Sequence, residues 1–298
     1  MEHPLKGKVI VITGASSGFG KGAARQFARE GAWLALAARR GHLLDALAAE
    51  CEQMGARAAS IPTNVADPTE VEALAEAAIE VFGRIDVWVN NAGVGALGRF
   101  ADVPLEEHIG VVETTLMGTV YGSWFAMRQF LRQGSGVLIN IASELGKTSV
   151  PYYGSYTAAK HGVVGLSTSL RQELDQNEVE GVHVCTILPT AHDTPFFDHA
   201  ANHTGHEVQA PAPLHEPDEV VDAIVALARN PKDEKIVGGD GFVKFFVRNV
   251  APGLGEKMGA VQMHKAQIEK APPAPDSPGA VLEPMEEGTE VKAGRLPR

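Results

Sequence analysis

Two cysteines, Cys51 and Cys185, are all the chain has among its 298 residues. That is too few for a disulfide framework or a cysteine-based metal site, and both fall where the pattern reads as helix and strand, so they are expected as small buried hydrophobes. No apolar run approaches the roughly 18 residues needed to span a bilayer, and residues 1–8 hold no apolar leader. A reducing, cytoplasmic setting is the expectation. Positive charge is also scarce: 26 Lys and Arg against 37 Asp and Glu leave a net charge of −11, which repels phosphate backbones and argues against nucleic acid as a partner. There is no internal repeat.

What is present is the composition of a globular protein, 44% hydrophobic and 21% charged, able to bury a large core. Strand-like apolar runs at 9–13, 33–38, 58–62, 85–90, 137–142 and 182–188 alternate with helical patterns at 20–30, 42–54, 69–82, 105–132 and 156–177. A further helix at 217–229, with Pro217 at its first position, and a short strand at 235–237 complete the series. Continuous apolar strands such as Val9-Ile10-Val11-Ile12 are expected where a parallel sheet is covered on both faces. The fold expected is α/β, a doubly wound parallel sheet with helices on both faces plus a C-terminal extension. Residues 1–240 form the main compact domain on this reading. Residues 241–271 are an apolar and basic extension, and 272–298 a flexible tail rich in Pro, Gly and Glu, opened by Pro272-Pro273-Ala274-Pro275.

Between the first strand and first helix lies Thr13-Gly14-Ala15-Ser16-Ser17-Gly18-Phe19-Gly20. Glycines there let the backbone approach a pyrophosphate whose charge the helix N-terminus attracts. The second strand ends Ala38-Arg39-Arg40. An NAD site would want an acidic residue at the position of Ala38, whereas the Arg39 guanidinium can meet a 2′-phosphate with paired hydrogen bonds, which points to NADP. Arg40 reads as a solvated charge. Asn64-Val65 and Asn90-Asn91-Ala92-Gly93 follow the third and fourth strands, at the rim where ligands bind in open α/β sheets, or serve as simple turns.

Tyr156 and Lys160 are four residues apart at the start of a helix and so share a face. A phenol with a pKa near 10 needs positive charge nearby to exchange protons near neutral pH, and Lys160 can supply it. A half-buried Tyr beside a solvated Lys is the plainer reading of that pair alone. Ser143, ending the fifth strand, projects at the same rim and can hold a substrate oxygen, or cap a turn.

Taken together and in this order, these motifs make residues 6–240 resemble the short-chain dehydrogenase/reductase family, whose fold is of the Rossmann type. By that resemblance Ser143, Tyr156 and Lys160 match the catalytic serine, tyrosine and lysine, the last two also facing the cofactor. Gly14, Gly18 and Gly20 match the cofactor glycines, with Ser16, Ser17 and Phe19 in the same loop, and Asn91 matches the N-A-G turn. Pro189 and Thr194 resemble the P-G-x-x-x-T segment that holds the nicotinamide. Three positions depart: Thr115 stands for the usual active-site asparagine of the proton relay, Asn64 for an aspartate near the adenine, and Thr190 for the second residue of the P-G turn. The resemblance implies an NADP(H)-dependent oxidoreductase acting on a small-molecule alcohol or carbonyl and pairing as a homodimer or homotetramer through the helices at 105–132 and 156–177. The alternative is an NADP-binding regulatory or assembly protein with little catalysis. An acyl-carrier-protein reductase is disfavoured by the acidic charge and the extension.

The variable stretch 190–216 carries His192, His199, His203, His206 and His215. The spacing of His199 and His203 would suit zinc on a helix, but the glutamate of an H-E-x-x-H site is missing, so polar lid residues are expected and no metal. In the extension, Phe242-Val243-Lys244-Phe245-Phe246-Val247-Arg248 joins apolar residues to cations. Packing over the domain or a partner subunit is expected in preference to contact with an anionic membrane, because Pro252 and Gly253-Leu254-Gly255 interrupt any long amphipathic helix.

Overall fold

The computed structural model describes residues 5–239 and 252–296. The elements are β1 (Val9–Thr13), α1 (Gly18–Arg29), β2 (Trp33–Ala38), α2 (Gly41–Gln53), β3 (Arg57–Pro62), α3 (Pro68–Phe82), β4 (Val87–Asn90), β5 (Ala96–Gly98) and α4 (Leu105–Val112). There follow α5 (Gly118–Gln133), β6 (Gly136–Ile141), α6 (Gly154–Gln176), β7 (Val182–Pro189), a one-turn α7 (Phe196–His199), β8 (Ala201–His203), α8 (Asp218–Arg229), β9 (Glu234–Val237) and α9 (Pro252–His264). Seven strands form a parallel sheet in the order β3-β2-β1-β4-β6-β7-β9. The order reverses between β1 and β4, creating the switch point outside the strand carboxyl ends where such sheets bind ligands.

Both faces are covered, which is why the strands read as unbroken apolar runs. Phe27, Leu44, Leu47, Ile224 and Leu227 pack from α1, α2 and α8 on one side. Val71, Leu74, Phe130 and Leu174 pack from α3, α5 and α6 on the other. Beneath α5 and α6, a fully enclosed polar chain joins strands to helices. Trp88 Nε1 donates to Asn90 Oδ1 at 2.8 Å, and Asn90 Nδ2 donates to Asn140 Oδ1 at 2.9 Å and to Ser123 Oγ at 3.1 Å. Asn140 Nδ2 donates to Ser167 Oγ at 3.0 Å. Gly122 keeps this space open, since a Cβ there would stand 2.1 Å from Asn90 Oδ1.

The pattern at 105–132 predicts one continuous helix. The structure instead divides it by a π-helical turn at Glu113–Met117, a local widening often found at functional sites. The small parallel pair β5 and β8 is a second difference; three residues each is too short for a periodic signal. Helix α9 is a third, for Pro252 opens it at the first position, where a missing N–H costs nothing, rather than breaking it. Met263 near its end is buried in a cluster with Val94, Tyr153 and Tyr156. The segment 242–248 lies outside the described residues.

The tail shows contacts that its composition does not foretell. Of residues 272–298, expected to be flexible, 272–296 are described and are laid along the domain by their own backbone: Asn202 and Ser277 exchange N–H···O bonds at 2.7 and 3.0 Å, and the Ala280 N–H reaches His199 O at 2.8 Å. Farther on, Gly18 N–H donates to Glu290 O at 3.0 Å and Ala293 N–H to Asp193 O at 3.2 Å. Val281 is buried. The Pro- and Gly-rich composition foretells a path without helix or strand, but such a path can still be held at every few residues by another surface.

Candidate active site

A cavity of about 530 Å³ runs along the carboxyl ends of β1, β4, β6 and β7, a volume typical of small-molecule and cofactor sites. At one end the loop after β1 is held from beneath by Asn91, whose Nδ2 donates to Thr13 O at 2.9 Å and Gly14 O at 3.1 Å. Gly14 has φ of 66°. A Cβ on Gly20 would stand 2.4 Å from Gly14 O, so α1 can approach the loop this closely only through glycine. Ser16, Ser17, Gly18, Phe19, Asn64 and Val65 line this end. Asn64 Oδ1 accepts from Ala66 N–H at 3.2 Å in an Asx turn, and its own N–H donates to Glu70 Oε2 at 2.6 Å.

At the other end Ser143, Tyr156 and Lys160 converge, all buried. Burial pushes the Tyr156 phenol above its usual range; its hydrogen bond with Ser143 opposes that rise and the charge of Glu144 adds to it. Lys160 Nζ donates to Ile141 O at 2.7 Å and lies 5.6 Å from the centre of the Tyr156 ring. Burial lowers its ammonium to about 7. Lys160 is therefore a weaker source of positive charge at neutral pH than its place in the sequence suggests. Pro189 and Thr194 line the wall between the two ends.

These surroundings agree with the family resemblance, and comparison with known proteins decides it: the sequence matches the model described as short chain dehydrogenase over residues 8–204. The chain belongs to the short-chain dehydrogenase/reductase family. It is an oxidoreductase of that family, similar to the uncharacterized oxidoreductase YxnA of Bacillus subtilis, with 32% identity over 94% of this chain and 79% of that protein. The ketoacyl reductase HetN of Nostoc sp. is 31% identical over 78% of this chain and 79% of its own length. Among solved structures, a short-chain dehydrogenase/reductase from Burkholderia phymatum in complex with NAD superposes with a TM-score of 0.75 at 25% identity, covering 85% of this chain and 96% of that one. An alcohol dehydrogenase from Thermococcus sibiricus complexed with 5-hydroxy-NADP gives 0.66 at 30% identity, covering 77% and 95%.

Within this short-chain dehydrogenase/reductase frame, several residues depart from what the sequence suggests. Thr115, read as part of a proton relay to Lys160, sits in the π turn with its hydroxyl donating to Val94 O and accepting from Val94 N–H, 3.1 Å each way. Its one proton is directed at the turn after β4, so its observed work is to position that turn. Arg40, read as a solvated charge, is only 8% exposed. Its guanidinium donates to Ser16 Oγ at 3.0 Å and to Ser17 Oγ at 3.2 Å, bracing the glycine loop. Arg39 is half-buried under the tail, its Nη2 donating to Ala280 O at 2.5 Å and Nη1 to Leu282 O at 3.1 Å.

Sequence reasoning passed over Tyr153. It lines the cavity beside Tyr156, ring centres 6.3 Å apart, and its buried hydroxyl has no partner among the described residues. The only signal was a second tyrosine three residues before the first. Helix α9 and the tail supply Met263, Ala280 and Met285 to the wall, which no local pattern could indicate. The histidines do not assemble as a helical zinc site: His199 ends α7, while His203 in β8 lies between Glu107, at 2.7 Å, and Asp276, at 3.3 Å. Of the described helices, none is long and apolar enough to cross a membrane.

Proposed function

We propose that the protein transfers a hydride between NADP(H) and a carbinol or carbonyl carbon, with Tyr156 exchanging the proton on the substrate oxygen. The observation that carries this reading is the convergence of Ser143, Tyr156 and Lys160 at one end of a cavity whose other end is the glycine loop. The cradle fits a dinucleotide: Gly14 and Gly20 leave backbone room, the α1 N-terminus faces the loop, and Arg39 follows Ala38 where a 2′-phosphate would lie. When bound, the nicotinamide would supply or accept the hydride. Ser143 holds the substrate oxygen, and Tyr156, hydrogen-bonded to it, gives or takes the proton. Lys160, anchored on Ile141 O, biases the phenol according to its own charge state.

The wall beyond Tyr156 is formed by Val94, Leu145, Val150, Phe196 and Met263. Apart from Lys160, no Lys or Arg among the described residues lines that end, so a neutral, largely apolar alcohol or carbonyl fits it best. The reading extends to a cytoplasmic homo-oligomer paired through α5 and α6. A second reading, cofactor binding with little turnover, draws support from the engagement of the Thr115 hydroxyl with Val94.

The test is Tyr156→Phe assayed against a panel of carbonyls and alcohols with NADP(H) and NAD(H). Cofactor affinity should persist while turnover falls by at least about a hundredfold, the usual range for a positioned acid or base. Full activity in the phenylalanine variant would place the acid elsewhere, and absence of turnover in the unsubstituted protein across the panel would favour the second reading.

A further inference from the structure

The tail does more than cover the domain. Between Ala280 and Glu290 it lies on Arg39, which the preceding reading gives to the 2′-phosphate, and on the neighbouring Arg40, Gly18 and Lys21. Arg39 donates to the carbonyls of Ala280, Val281 and Leu282, at 2.5, 3.5 and 3.1 Å. Arg40 donates through Nη1 to the carbonyls of Met285 and Glu287, 3.0 Å each. Gly18 N–H and Lys21 Nζ are engaged by Glu290 O and Thr289 O, both at 3.0 Å. A cluster of carbonyl oxygens around a guanidinium reproduces the acceptor pattern of a phosphate group.

Two arrangements are compatible with such contacts. The tail could complete the phosphate site, or it could occupy it. Charge separates them. The tail brings Glu283 into electrostatic contact with Arg39 and Glu286 into contact with Arg40, and Glu286 also pairs with His42 at 3.4 Å. A segment built to complete a site for a dianion would not set two carboxylates beside the cations that read it. The seat is also provided by the domain: Gly110 of α4 leaves the space filled by Val281 and Leu282, whose side chains would lie 2.9 and 3.0 Å from a Cβ there.

We propose that residues 280–287 are an internal stand-in for the nucleotide 2′-phosphate and thereby set cofactor selection: NADP enters by displacing them from Arg39 and the adjoining Arg40, whereas NAD has no 2′-phosphate to compete for those contacts. The proposal rests on the assignment of Arg39 to the 2′-phosphate. It makes the tail a specificity element acting against the cofactor that the arginines favour, so that NADP affinity reports the difference between phosphate and tail for the same donors.

The test keeps the full chain. Gly279 (φ 53°) and Gly288 (φ 66°) both approach His199 so closely that a Cβ would stand 2.4 Å from its carbonyl and 2.3 Å from its Nε2, respectively. The double variant Gly279→Val, Gly288→Val should therefore lift the tail without altering a residue of the arginine site. NADP should then bind at least about tenfold tighter, NAD within about twofold of its original affinity, and adding Arg39→Ala should remove the gain. In the unsubstituted protein, NADP should speed hydrogen exchange at the Ala280 and Ala293 amides while NAD leaves it unchanged. Weaker NADP binding by the double variant would show that the tail completes the site and would overturn the proposal. Unchanged NADP affinity with unchanged exchange would do the same, and if Arg39→Ala still weakened NADP, the cofactor reading would stand without it. Indifference of NADP binding to Arg39 in both backgrounds would remove the cofactor reading and the proposal together.

Discussion

The hydroxyl of Thr115 and the backbone of Val94 form a closed pair, each donating to the other over 3.1 Å, with both residues buried. Thr115→Val keeps the shape and removes both bonds, leaving the Val94 N–H and C=O without this partner. A loss of about 1–3 kcal/mol in urea denaturation is expected for a buried group so stranded, and Thr115→Ser should recover most of it. Thr115→Asn, which introduces the family's usual residue, should lower turnover because the larger amide must be fitted into a fully buried site shaped to a hydroxyl. A rise in turnover would assign Thr115 to a decayed relay.

Lys160 gives a pH signature. Burial depresses its pKa from 10.5 to about 7 in the folded chain, so between those values the unfolded chain holds the extra proton and stability rises with pH. Below about pH 7 the burial penalty is fully present. Lys160→Met should therefore be more stable than the parent at pH 7, by an amount of the order of a few kcal/mol less about 1 kcal/mol for the lost bond to Ile141, and the advantage should shrink toward pH 10. Melting temperatures across that range decide it; an advantage independent of pH would mean that Lys160 titrates normally.

Tyr153 carries a buried phenol hydroxyl without a partner among the described residues. Tyr153→Phe should raise stability by about 1 kcal/mol, since an unsatisfied polar group leaves the interior. If that hydroxyl is held for the substrate, the same variant should raise KM with little change in kcat. An unchanged KM would confine Tyr153 to packing.

On α5, Trp124 and Leu131 are half exposed, and Arg128 between them stacks its guanidinium 4.4 Å from the Trp124 ring centre. A large aromatic left on a helix surface is expected at a subunit contact. Trp124→Glu should shift the sedimentation of the protein from oligomer to monomer at micromolar concentration; an unsubstituted protein that is already monomeric would dismiss the contact.

Much of this architecture can be read in the sequence because its causes are local. The run Val9–Thr13, the glycines at 14, 18 and 20, and the Tyr156–Lys160 spacing each state their own geometry within a few residues. The site's remaining parts come from pairings remote in the chain. Arg40 looks like a surface charge until Ser16, Ser17 and the carbonyls of residues 285 and 287 surround it. The tail looks disordered because composition reports its lack of helix or strand and is silent on the surface that holds it. Thr115 is legible as a departure, but its bond to Val94 depends on a π turn that the helical periodicity hides.

The amide chain between β4 and β6 acts as a lock on strand alignment. Asn90 and Asn140 stand opposite each other in the sheet, and their amides reach Ser123 and Ser167 on the same face. Shifting either strand by one residue turns its asparagine to the opposite face, amid aliphatic side chains, and strands a buried amide on each side of the slip. Apolar strands such as Val87-Trp88-Val89 and Leu138-Ile139 could slide past one another with little loss of burial. The two asparagines make every such sliding costly, and the ends of β4 and β6, from which Asn91 and Ser143 are presented, are thereby fixed relative to each other before any ligand arrives.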